Sequence, residues 1–89
     1  MNLDRDAIQQ AIKAKVIELA DQLGSDASDL ALDELIPASG YIDSAGLLDL
    51  IAWFEATYRF RIPDSDMTID NLGSAAQMAN YLLRSKAAS

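Results

Sequence analysis

Neither cysteine nor histidine occurs anywhere in the 89 residues. The first absence excludes disulfides and thiol catalysis. The second removes the commonest general base and the commonest metal ligand together. No apolar stretch approaches the length that spans a bilayer. The start, Met1-Asn2-Leu3-Asp4-Arg5-Asp6, lacks a basic region followed by an apolar run, so no signal peptide is expected and a cytoplasmic location is. Basic residues are also scarce. Seven Lys and Arg stand against fourteen Asp and Glu, a net charge of −7 and a pI near 4.2. Nucleic acid and anionic membranes are therefore poor partners, because both are bound largely through Lys and Arg. Proteins with basic docking patches are favoured instead. An acidic surface also serves solubility alone, and charge by itself does not separate the two readings. Missing too are an alternating run long enough for a sheet and any internal repeat.

What is present points to helices. About half of the residues are apolar, enough for one small folded domain, 1–89, with a core spanning about 4–84. Ile8, Ile12, Val16, Leu19 and Leu23 recur at spacings of three and four, which predicts a first helix over 4–23, stopped by Gly24. Residues 24–43 concentrate turn formers, with Leu30, Leu32, Leu35 and Ile36 apolar enough to pin the segment across a bundle. Pro37 and Gly40 then let the chain turn sharply. Leu47, Leu50, Ile51, Phe54 and Tyr58 define a second helix from Ser44 to about Tyr58, with Asp49, Ala52, Glu55 and Arg59 off its inner stripe. Pro63 ends it, after an extended Arg61-Ile62. A short helical turn is expected near 68–72, capped by Thr68. Ser74-Ala75-Ala76-Gln77 has capping-box spacing and opens a last helix with Ala75, Met78, Ala79 and Leu82 inward, frayed after Arg84. The fold expected is all-α, a small four-helix bundle with a long connection between its first two helices.

The chemistry on offer is slight. Asp64, Asp66 and Asp70 only loosely suggest calcium; counted from Asp64, positions 69 and 75 are Ile and Ala where an EF-hand loop needs Gly and Glu. No metal site is expected. No nucleophile has a base beside it, and no Gly-rich phosphate loop follows a strand. An enzyme is not expected. Phe54 and Tyr58 fit the core, whereas Trp53 reads equally well as core flank or partner-facing.

One serine stands out. Ser44 lies after Asp43 and before a small Ala45-Gly46 pair, at the mouth of a helix with acids on its outer face. Either Asp43 or Ser44 would serve as an ordinary N-cap. The same position suits an anionic phosphodiester, since a helix N-terminus offers free amides and partial positive charge. Gly46 leaves room for a modifying enzyme.

Asp43-Ser44-Ala45-Gly46-Leu47-Leu48-Asp49-Leu50-Ile51 resembles the attachment signature of acyl carrier proteins. The likeness continues through Phe54-Glu55-Ala56-Thr57-Tyr58-Arg59-Phe60-Arg61-Ile62-Pro63 and Asn71-Leu72-Gly73-Ser74, covering residues 30–84. It implies a 4′-phosphopantetheine arm on Ser44, carrying an acyl or aminoacyl group as a thioester between enzymes of a biosynthetic pathway. The implied partners are a phosphopantetheinyl transferase, an acyl- or aminoacyl-activating ligase and downstream acyl-using enzymes, served by a monomer. Docking would involve Asp43, Ala45, Leu48, Asp49 and Glu55. Position 45 departs from the family, which usually has Leu or Met there. The approach Gly40-Tyr41-Ile42-Asp43-Ser44 resembles specialised stand-alone carriers, including D-alanyl and aminoacyl types. Ala45 also leaves open an unmodified helical adaptor that keeps the carrier fold.

Overall fold

The structure, a computed structural model, describes residues 4–88, and these are helical with no strand among them. In chain order come α1 (Arg5–Gln22), α2 (Ile36–Ser39), α3 (Ser44–Tyr58), a 3-10 turn (Asp64–Asp66), α4 (Ile69–Leu72) and α5 (Ala75–Ala88). The three long helices match the apolar stripes. There are two short α-helices rather than one, because Pro37 acts as a starter. It falls in the first turn of α2, where its fixed φ suits a helix and its missing N–H costs nothing. Gly40, at φ 77°, closes that single turn.

α1 buries Ile8, Ile12, Val16, Leu19 and Ala20 and packs against α3 and α5. It ends as Gly24 turns left-handed at φ 80°, with Gly24 N–H donating to Asp21 O and Ser25 N–H to Ala20 O. This ending displaces Leu23. The expected last member of the inner stripe is 52% exposed, since the helix stops before its side chain can turn inward.

The long connection is held firmly. Ala27, Leu30, Ile36 and Ile42 are buried along it. Ile36 N–H donates to Gly73 O at 2.7 Å, and Ala76 N–H donates to Leu32 O at 2.8 Å. These two bonds fasten the connection to the start of α5. Leu35, expected to pin it, instead faces outward.

α3 supplies the centre of the core through Leu50 and Phe54, with Leu47, Ile51 and Tyr58 half-buried at its flanks. Phe54 meets Tyr58 and Phe60 edge-on, with ring centroids 5.4 and 5.2 Å apart. Arg59, left-handed at φ 55°, ends the helix. The Glu55 carboxylate then accepts from Ile62 N–H at 2.8 Å. Glu55 is half-buried and engaged by the chain, rather than free on the outer face as its place off the inner stripe suggested.

α5 begins at a Ser74 cap, whose hydroxyl accepts from Gln77 N–H at 3.1 Å. Only this half of the capping box forms, because the buried Gln77 Oε1 has no partner among the described residues. The helix runs past the expected end at Arg84 to Ala88, tied back by Lys86 Nζ donating to Arg59 O. Tyr81 hydroxyl donates to Asp66 Oδ2 at 2.7 Å. Burial first, and then that hydrogen bond, push the Tyr81 phenol above its ordinary pKa.

Two substitutions test this frame. Gly73 is needed for space, since a Cβ there would collide with the Ile69 carbonyl oxygen and crowd Gln77 Oε1 at 3.0 Å. Gly73→Ala should destabilise by about 1–3 kcal/mol, read as a fall in Tm of roughly 4–8 °C per kcal/mol. Glu55→Ala leaves the Ile62 amide without its acceptor. Its cost should be about 1–3 kcal/mol in urea unfolding, well above that of an ordinary surface charge.

Candidate attachment site

Helix α3 needs a cap because its first amides have no carbonyl one turn back. Asp43 provides it. Its backbone is extended, at φ −91° and ψ −173°, and its Oδ1 accepts from Gly46 N–H at 2.8 Å. Its carbonyl accepts from Leu47 N–H at 2.9 Å. The choice that the sequence left open between Asp43 and Ser44 is thereby decided. Ser44 is the first helical residue, exposed, and its hydroxyl has no hydrogen bond among the described residues. The amides of Ser44 and Ala45 precede the capped pair and remain open to an anion.

Ser39 is the obvious rival and is already occupied. Its hydroxyl donates to Ile36 O at 2.6 Å and accepts from Tyr41 N–H at 3.3 Å. Gly46 has a different role from the one its size suggested. It is buried, and a Cβ there would meet Ile42 Cβ at 3.1 Å and Asp43 Oδ1 at 3.3 Å. Its smallness lets the cap close and gives no extra access to Ser44.

Beyond Ser44, the outer face of α3 shows Ala45, Leu48, Asp49, Ala52 and Ala56. Leu48 is 65% exposed, the largest value among the described large apolar residues. Glu55 lies half-buried beside Ala52 and Ala56, with one carboxylate oxygen engaged by Ile62 N–H. Trp53 lies half-buried against the core, edge-on to Tyr58 with centroids 6.4 Å apart.

Clefts flank the serine on two sides. One, of about 250 Å³, is lined by Pro37, Ile42, Asp43, Ser44 and Leu47. Past Pro37 and Leu47 it adjoins an apolar cleft of about 120 Å³ bounded by Ile51, Met67, Ile69 and Leu72. The other side faces α1. There Leu19, Gln22 and Leu23 meet Asp43, Ala45 and Asp49 around a further cleft of about 120 Å³. Sequence reasoning missed this feature. Its only signal was Gly24, which ends α1 early enough to turn Leu23 outward.

The chain has no histidine, and the neighbouring Asp43 carboxylate is engaged by the Gly46 amide. No described residue is placed to take a proton from Ser44. Among the described residues no group of three or more carboxylates is arranged to hold a metal. The loop acid Asp66 is bound to Tyr81. No described helix is long and apolar enough to cross a membrane.

Comparison with known proteins places the chain in a family. The profile of the family described as "Phosphopantetheine attachment site" matches residues 16–82. A D-alanyl carrier protein of Streptococcus thermophilus is 37% identical over 65 residues, covering 72% of this chain and 81% of the relative. A D-alanyl carrier protein of Streptococcus gordonii is similar to the same extent. None of the solved structures gives a significant match. A helical bundle of this kind, a profile match over most of its length and relatives that are carriers together place the chain in the phosphopantetheine-binding acyl carrier protein family, with 4′-phosphopantetheine as its covalent group.

Proposed function

We propose that Ser44 is the residue that bears the arm, and that the cargo is an aminoacyl or similarly small acyl group. The observation that carries the first part is the division of labour at the start of α3. Asp43 does the capping, so the adjacent hydroxyl is exposed and unspent. The site also fits the group. The open amides of Ser44 and Ala45 and the positive end of α3 suit a phosphodiester, and the cleft beside Ser44 offers room for the pantetheine chain beyond it.

In the attachment step, Ser44 Oγ forms a bond to the phosphorus of coenzyme A that joins pantetheine. The bond from that phosphorus to adenosine 3′,5′-bisphosphate breaks. The serine proton leaves to the transferase, since the chain has no histidine to take it. The bound group supplies a thiol that holds a carboxylic acid as a thioester. The protein contributes position and address, with no catalytic role of its own.

Two observations favour a small cargo. The relatives are D-alanyl carriers by name. The bundle centre is also full: Ile12, Val16, Leu50, Phe54, Met78 and Leu82 are wholly buried. The apolar cleft beyond Leu47 measures only about 120 Å³. A long alkyl chain would have to separate packed helices, which close-packed interiors resist. An aminoacyl-activating ligase is then the loading partner. Leu48 offers an apolar contact one turn beyond Ser44, and Asp49 offers charge for steering. The adaptor reading rests on Ala45 alone and predicts a chain that never takes the arm.

Intact mass separates these readings. With coenzyme A and a broad-specificity transferase, the wild type should gain one arm, Ser44→Ala none, and Ser39→Ala one. Gain by Ser44→Ala with loss in Ser39→Ala would move the site. Asp49→Lys should slow loading by the cognate ligase and flatten its salt dependence. Its Tm should stay close to wild type, because Asp49 is exposed and makes no hydrogen bond or ion pair among the described residues. An unchanged loading rate would place docking on another face.

A further inference from the structure

The cleft on the α1 side of Ser44 has a consistent chemistry. Leu19, Leu23, Ala45, Gly46 and the polar Gln22 line it, with the exposed Asp43 and Asp49 at its rim. The last turn of α1 carries no basic residue and includes Asp21. The negative end of the α1 dipole therefore adds to the rim acids without opposition. Leu23 stands half open to solvent beside it. The result is a small cleft, partly apolar and partly anionic, that reaches the residue next to Ser44.

Resting on the carrier reading of Ser44, we propose that this cleft is a socket for an apolar side chain of the phosphopantetheinyl transferase. Basic residues beside that side chain would meet Asp43 and Asp49. Three arguments select this occupant. An enzyme that bonds a group to Ser44 Oγ must bring its surface over Ala45, so the cleft is covered in that complex. A cover that left the Leu19 and Leu23 surface facing an empty space would forgo dispersion contacts. A second copy of this chain is disfavoured, since each carries a net charge of −7 and like charges across a contact oppose it. The volume, about 120 Å³, suits one aliphatic or methionine side chain. Ala45 is the specificity residue in this arrangement. Its methyl group keeps the hole open, and a longer side chain at 45 would fill it from the carrier's own side.

The test is the kinetics of arm transfer with coenzyme A and the source organism's own phosphopantetheinyl transferase. It compares wild type, Ala45→Leu, Leu23→Ala and Ala56→Leu. Ala45→Leu should raise KM about ten-fold or more, the scale of losing one apolar side-chain fit, with kcat and Tm nearly unchanged. Leu23→Ala removes a wall away from the serine and should raise KM in the same sense. Ala56→Leu makes the same enlargement farther along the exposed face of α3 and should have no effect. Wild-type KM for both Ala45→Leu and Leu23→Ala, with the arm still transferred, overturns the socket alone. So does an equal rise in Ala56→Leu. No arm on the wild type overturns the carrier reading of Ser44, and the socket with it.

Discussion

The hydrogen bond from Gly46 N–H to Asp43 Oδ1, at 2.8 Å, is the constraint on which the site depends. It fixes where α3 begins, and so sets the register that turns Leu50 and Phe54 to the core and Ala45, Leu48 and Asp49 to solvent. It also accounts for Gly46, where any side chain would crowd Ile42 and the capping carboxylate. A cap of this kind is worth typically about 1 kcal/mol, modest beside the apolar burial of the core. Its larger effect is chemical. With Asp43 satisfying the helix, the hydroxyl of the next residue is left without an internal task.

The rest of the fold keeps that hydroxyl in place. A small domain has little core to spare, and much of it here approaches the start of α3 from the preceding connection. Ile36 and Ile42 are buried on either side of the turn that leads to Asp43. The amide of Ile36 is bonded to Gly73 across the bundle. At the far end, Glu55 holds Ile62 while Lys86 reaches Arg59. The helix that begins with Ser44 is thus fastened at both ends by polar bonds and along its middle by Phe54 and its aromatic neighbours.

Much of this was legible in the sequence, and the misses share a cause. The stripes of Ile8 to Leu19 and of Leu50 to Phe54 gave the long helices, because periodicity records a buried face directly. The Asp43-Ser44 pair was equally visible, although not which of the two capped. What failed were residues whose role depends on contacts distant in sequence or on an end effect. Glu55 looked like a surface acid until its acceptor role toward Ile62 appeared. Leu23 belonged to the stripe until the helix stopped beneath it. Pro37 read as part of a sharp turn and lies in the first turn of a short helix. Gly46 read as room for an enzyme, and its neighbours show it to be a packing requirement.

The fixed backbone around Ser44 has a kinetic meaning. A group hung from a mobile loop would search a volume blurred by the motion of its own anchor. With the arm on Ser44, as proposed, the pivot is a residue held by a cap behind it and a packed helix ahead of it. Whatever is attached sweeps a shell of definite radius about a nearly stationary centre. A partner docked on the same helix then meets the tip at an effective concentration set by the tether's length and stiffness. The protein itself adds almost no slack to that search.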